Sequence, residues 1–164
     1  PPGKYKIILT VDGQKYETSI DLIKDPRVDV SDNDIDIQFK FAMEIMSQTD
    51  LANRNVIEIR NIKKMMAKRL KSKSSNTQKK INKLISKLDQ IESSIYQVKN
   101  QSGQDPLNFP IKVNNRLAYL RKSVESGDGL PTQGSRQVFK ELKEELSGYV
   151  SELVNVKLEV EKYL

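Results

Sequence analysis

Eleven cations and no anion lie between Ile59 and Leu88: Arg60, Lys63, Lys64, Lys68, Arg69, Lys71, Lys73, Lys79, Lys80, Lys83 and Lys87. The whole chain of 164 residues carries +6, so the remainder carries −5. A charge excess this local attracts polyanions or anionic headgroups. Lys63, Lys64, Lys68, Arg69, Lys71, Lys73, Lys79 and Lys80 form the candidate anion-binding group, with an acidic polysaccharide or a lipid surface as the partner. Lysines outnumber arginines nine to two, and arginine is the better bidentate reader of phosphate. No aromatic interleaves with the run and no nucleic-acid motif accompanies it, which argues against nucleic acid. The competing reading is a solvated helical hairpin that lysine keeps soluble.

Other chemistry is sparse. The chain has no Cys, which excludes disulfides and thiol catalysis, and no His, which removes the commonest general base and metal ligand. Phosphate-loop and dinucleotide glycine patterns are absent. Glu144 and Glu145 are helix-surface neighbours that point in different directions. Asp128, between two glycines, and Asp105, before Pro106, read as turn residues. No catalytic residue, metal ligand or cofactor is expected.

The elements that must carry this charge are mainly helical. Charged residues make up 30% and hydrophobic residues 37%. That is a lean core for a large surface, which suits elongated helices. Lys4–Val11 and Gln14–Ile23 alternate with period two around Asp12-Gly13, a two-residue hairpin signal. Tyr5, Ile7, Leu9 and Val11 share a face with Tyr16, Thr18, Ile20 and Leu22 across the pair. A lone hairpin is marginal in water. Its apolar face must therefore cover a helix of this chain or belong to strands upstream, as the last hairpin of an immunoglobulin-like sandwich. Pro1 in place of Met agrees with a piece cut from a longer chain. Asp25-Pro26-Arg27 ends the strand, giving a division into residues 1–27 and a helical bundle over 28–164.

Four helices follow from spacing. Ser31 with Asp34 has the form of a capping box. Apolar residues then recur at Ile35, Phe39, Ala42, Met46, Thr49, Ala52, Val56, Ile59, Ile62, Met66 and Leu70, with no Gly or Pro from 31 to 71: one helix of about 40 residues. Ser75 with Gln78 opens a second helix, striped by Thr77, Ile81, Leu84, Leu88, Ile91, Ile95 and Val98, to about Asn100. A third carries Val113, Leu117, Leu120 and Val124. Pro131-Thr132 opens the fourth, with Val138, Leu142, Leu146, Tyr149, Leu153, Val156 and Val160. Antiparallel packing at roughly +20° shields such seams. If each helix retraces the one before, the third climbs, the fourth descends beside the start of the first, and the tip of the first two projects as a stalk. Met43, Met65 and Met66 read as gap-fillers in the core.

Ser102-Gly103-Gln104-Asp105-Pro106-Leu107-Asn108-Phe109-Pro110-Ile111, then Asn114-Asn115-Arg116-Leu117, Ser126-Gly127-Asp128 and Pro131-Thr132, resemble the carboxy-terminal region of exported bacterial proteins with sortilin-like, BNR-repeat β-propellers, often labelled glycosyl-hydrolase-like. Pro2-Gly3-Lys4-Tyr5, Leu9-Thr10-Val11-Asp12-Gly13 and Lys24-Asp25-Pro26-Arg27 are similar too. The resemblance implies an exported parent whose propeller, with any hydrolytic site, lies upstream and is a partner of this segment. It transfers no catalytic residue. The segment itself is then a helical accessory module serving as spacer, scaffold or docking arm. In the loop, Gly103, Asp105, Pro106, Asn108 and Phe109 are the candidate docking or structural residues. Their structural reading is a turn at Asp105, a cap at Asn108 and a packed Phe109 ring that fastens the third helix to the first. Oligomeric state stays open.

Overall fold

A computed structural model describes residues 1–70 and 73–163. Strands β1 (Gly3–Val11) and β2 (Gln14–Leu22) form an antiparallel pair in which Tyr5 faces Ile20 and Leu9 faces Tyr16. Asp12 and Gly13 both take positive φ, 51° and 82°, as the tight hairpin turn demands. Helices α1 (Asp32–Leu70), α2 (Ser75–Ile95), α3 (Val113–Val124) and α4 (Gln133–Val160) follow.

The first cap has the expected reciprocal form. Asp34 N donates to Ser31 Oγ at 3.1 Å, and Ser31 N donates back to Asp34 Oδ2 at 3.3 Å. Thr132 caps α4, accepting from Ser135 N at 3.0 Å, which satisfies one of the free donors of the first turn. The α2 cap is Ser74, one residue before the expected Ser75. Helix α2 also ends at Ile95, short of the expected Asn100. There Tyr96 turns extended and Gln97 folds inward, donating from Nε2 to Pro110 O at 2.8 Å. That bond clips the start of the connecting loop to its end and leaves Val98 exposed.

The stacking order differs from the expected one. Gln38 Nε2, near the start of α1, donates to Val124 O at the end of α3 (2.6 Å), and Asn114 at the start of α3 donates to Asn53 Oδ1 (3.3 Å). Helix α3 therefore runs down α1, continuing in line from α2. Helix α4 runs up, parallel to α1: Phe139 packs edge-on against Phe41 with centroids 5.3 Å apart, and Lys157 pairs with Glu58. The bundle is three rods built from four helices. The physical reason is length. A helix rises about 1.5 Å per residue, so α1 spans about 58 Å, and α2 plus α3 together span about 50 Å. Two short helices laid end to end cover nearly the whole seam of the long one. Helix α4 closes in a last turn, Glu161–Tyr163, with Tyr163 packed on the core near Leu84. Only the last turns of α1 and the first turns of α2 stand beyond it, so the tip is short and not a stalk.

The core is one cluster running the length of the rods, centred on Ile45, Ile59, Leu88, Leu117 and Leu146. The seam of α1 has a different phase from the expected one in its first third. Phe41 and Ile45 are buried; Phe39 and Met46 are exposed. On α4, Phe139 takes the place expected of Val138. Met66 fills the core as expected, whereas Met43 and Met65 face solvent.

Candidate functional site

The hairpin covers nothing among the described residues: every residue of both strands is exposed. It does not pack on a helix, which removes the first of the two expected roles for its apolar face. Its two faces nonetheless differ in character, although Ile8 stands exposed among the charges of one of them. Tyr5, Ile7, Leu9 and Val11 share one side with Tyr16, Ile20 and Leu22 by register, because side chains alternate along a strand. The other side carries ion pairs, Lys6–Glu17 at 2.5 Å and Lys4–Asp21 at 3.8 Å. Seven large side chains, each about half exposed, present roughly 600–700 Å² of surface, at or beyond the top of what a monomer ordinarily leaves bare.

That surface continues onto the bundle. Leu22 and Ile23 at the hairpin base and Ile35, Phe39 and Ala42 of α1 line a cleft of about 280 Å³. Phe39, Met43 and Met46 are exposed. They recur at steps of four and three, so they form an apolar stripe leading away from this cleft. The linker between hairpin and α1 is tied to itself: Arg27 forks onto Asp25 at 2.6–3.2 Å, and Lys24 Nζ reaches Val30 O at 2.6 Å. The Arg27 side chain and its backbone N–H hold the Asp25 carboxyl below the usual range.

The candidate cations divide into bonded and bare. Lys63 is bonded. Its Nζ lies 2.7 Å from Glu92 Oε2 and 2.5 Å from Asp89 Oδ1, and Arg60 Nε lies 2.6 Å from Glu92 Oε1. The Arg60 guanidinium also sits 5.2 Å from the centroid of the Tyr96 ring. Glu92 is 4% exposed, so this cluster joins α1 to α2 and is not a surface anion trap. Arg69 also has an interaction partner. Lys64, Lys68, Lys73, Lys79 and Lys80 are exposed and form no ion pair among the described residues. Lys71 lies outside the described residues.

The cluster at Glu92 makes a pH prediction. Burial works against the Glu92 carboxylate, but hydrogen bonds from Lys63 and Arg60 and their charges outweigh it and hold its pKa below the usual glutamate range, the normal effect of close cations. Burial also works against the Lys63 ammonium, and the bonds to Asp89 and Glu92 overcome it and raise its pKa. A depressed acid stabilises the fold fully above its unfolded pKa, about 4.3, and loses that contribution as pH falls through its folded value. A raised lysine contributes fully below about 10.4 and loses its share as pH rises through its folded value. Thermal melts should therefore hold level between these limits, and Glu92→Gln should flatten the acid limb. Coincident acid limbs for the two proteins would assign the loss to other carboxylates.

The loop lies at the waist of the rods, where α2 hands over to α3. Asp105 accepts backbone N–H bonds from Gln101 and Ser102, the latter at 2.7 Å, and the Ser102 hydroxyl at 3.0 Å. The two N–H donors hold its pKa below the usual range. Asp105 thus fixes the turn, with Pro106 beginning the short 3-10 turn Asp105–Leu107 and Asn108 N closing it onto Asp105 O at 2.9 Å. Gly103 is exposed with open space around it. Phe109 is half-buried with the Lys99 ammonium 5.5 Å from its ring centroid, and it stands outside the core cluster, so it does not fasten α3 to α1. Glu145 is bonded as well, to Arg116 at 2.7 Å. Among the described residues no group of three acidic side chains is placed to hold a metal ion, and no helix is long and apolar enough to cross a membrane.

Lys162 is invisible to charge counting along the chain. It lies in the turn that closes α4 and meets Lys80 and Lys83 only in the fold. Comparison with protein-family models, curated proteins and solved structures gives no match for this chain.

Proposed function

We propose that this chain is a non-enzymatic helical accessory module, a spacer and docking arm of a larger exported β-propeller protein, and that it meets β-structure of that protein through its hairpin. One observation carries the reading: an apolar sheet face, bare along its whole length, that runs on into the Phe39–Met43–Met46 stripe. Exposed strand edges and an apolar face are what an added strand or a facing sheet covers. Hairpin and stripe together offer roughly 800–900 Å² on this side, the size of one half of a standard stable interface. The face opposite carries the ion pairs and a single large apolar side chain, Ile8. The resemblance in sequence to the tails of propeller proteins supports the choice of partner.

The test is copurification of the tagged segment with the separately produced β-propeller portion of the parent. Association is expected, and Ile7→Lys with Leu9→Lys should abolish it while the melting temperature of the bundle stays unchanged. Association that survives both lysines would refute the docking role of the hairpin. Hydrolytic turnover by the segment alone would refute the non-enzymatic reading.

A further inference from the structure

We propose that the groove between the first turns of α2 and the last turn of α4 is a binding seat for an acidic polysaccharide. The groove holds about 170 Å³ and brings Lys80 and Lys83 of α2 against Lys162 at the close of α4, over a floor of Leu84 and Tyr163. None of the three lysines has an ion pair among the described residues, while the neighbouring Lys87 is neutralised by Glu159 at 3.0 Å. Three lysines without an ion pair among the described residues thus line one concave surface, and the Glu159 carboxylate that also lines it is already engaged. Like charges gathered around one concavity focus a positive field into it, and the excess positive charge of the adjoining turns adds to that field.

The chemistry of the occupant follows from what lines the seat. Lysine ammoniums are compact point charges that suit scattered carboxylates or sulfates better than the forked recognition of phosphate. Tyr163 adds an apolar body with a polar tip, a surface fitted to a ring that carries hydroxyls. Among the described residues the large exposed apolar side chains near this end are Met65 and Leu158, on different helices, too little for insertion into a bilayer. Tyr163 is the one aromatic lining the groove among the described residues, and it is partly buried against the core, so successive bases find no run of rings to stack on. The seat lies at the opposite end of the rods from the hairpin, so it can fail or succeed independently of the docking reading.

The experiment titrates the whole chain with labelled heparin oligosaccharide, with phosphatidylserine vesicles and a single-stranded oligonucleotide as parallel arms. Heparin should bind at about 0.1 M salt and weaken steeply as salt rises. Lys80→Gln, Lys83→Gln and Lys162→Gln together should weaken it about tenfold or more, while Lys122→Gln, Lys140→Gln and Lys143→Gln, all exposed and distant, should change it less than about twofold. Lys162→Gln alone, at an exposed position, should cost about threefold with an unaltered thermal melt. No heparin binding, equal losses in the two triple variants, or tighter binding to the vesicles or the oligonucleotide would each overturn the proposal.

Discussion

Phe41→Ala is expected to lower the unfolding free energy by about 3–5 kcal/mol, and Phe39→Ala by less than about 1 kcal/mol. The two rings are two residues apart on α1, and a stripe of threes and fours from Ile35 can be drawn close to either. Only one of them is inside. Phe41 is 5% exposed and Phe39 is 42% exposed. Phe41 packs edge-on against Phe139, and the Arg136 guanidinium stands 5.1 Å from its ring centroid. Truncation therefore removes a buried ring, an aromatic pair and a cation contact at the place where α4 begins its run along α1. Phe39 borders the cleft at the hairpin base, so its loss should leave the melt of the segment alone and weaken association with the propeller. Urea unfolding of both variants, followed at one wavelength in the helical band, separates them. A larger loss for Phe39→Ala than for Phe41→Ala would mean that the seam of α1 has the phase that counting from Ile35 through Phe39 gives.

Glu92→Ala should cost about 2–4 kcal/mol, near the range for opening a buried ion pair. The carboxylate is buried and serves two cations on α1, but Arg60 keeps about half of its side chain in water, which discounts the lower end. Removing Glu92 leaves the Lys63 ammonium, with 26% of its side chain exposed, held by Asp89 alone. Asp89→Ala is the contrast: that carboxylate is 54% exposed, and its loss should cost about 0–1 kcal/mol. A double-mutant cycle with Lys63→Ala should give a coupling energy above about 1 kcal/mol for Glu92 and well below it for Asp89. Similar couplings for both acids would show that burial at this joint counts for little.

Much of the fold is legible locally because caps and turns are local. Ser31 with Asp34, Thr132 before α4 and Asp12-Gly13 are each decided by the neighbouring few residues, and each forms where the spacing puts it. The seam of α2 and the seam of α3 contain one apolar stripe apiece and leave no choice of phase. In the first third of α1 two stripes compete, because Phe39, Phe41, Met43, Ile45 and Met46 are all apolar, and the decision falls to Phe139 on the last helix of the chain. Helix direction is less legible still. Periodicity fixes which face is buried and says nothing about whether the loop at 96–112 reverses the chain or passes it onward. Length decides that, since α2 and α3 together match α1, and the Gln97–Pro110 bond that clips the loop has no periodic signature either. The same limit applies to the basic run. That Lys63 is bonded and Lys64 bare depends on which acids α2 presents to α1, and that Lys162 joins Lys80 depends on where α4 ends.

Of the three rods, two are unbroken helices: α1 is continuous over 39 residues and α4 over 28, whereas the α2–α3 rod is interrupted at the waist by the loop that Asp105 and Gln97 hold shut. Mechanically this makes α1 a strut, with α4 as a second unbroken member beside it and the α2–α3 pair as a jointed brace. A pull applied at the start of α1 travels through unbroken hydrogen-bonded turns to the lysine-bearing end, about 58 Å off. Whatever the module holds at its two ends is therefore kept at a set separation.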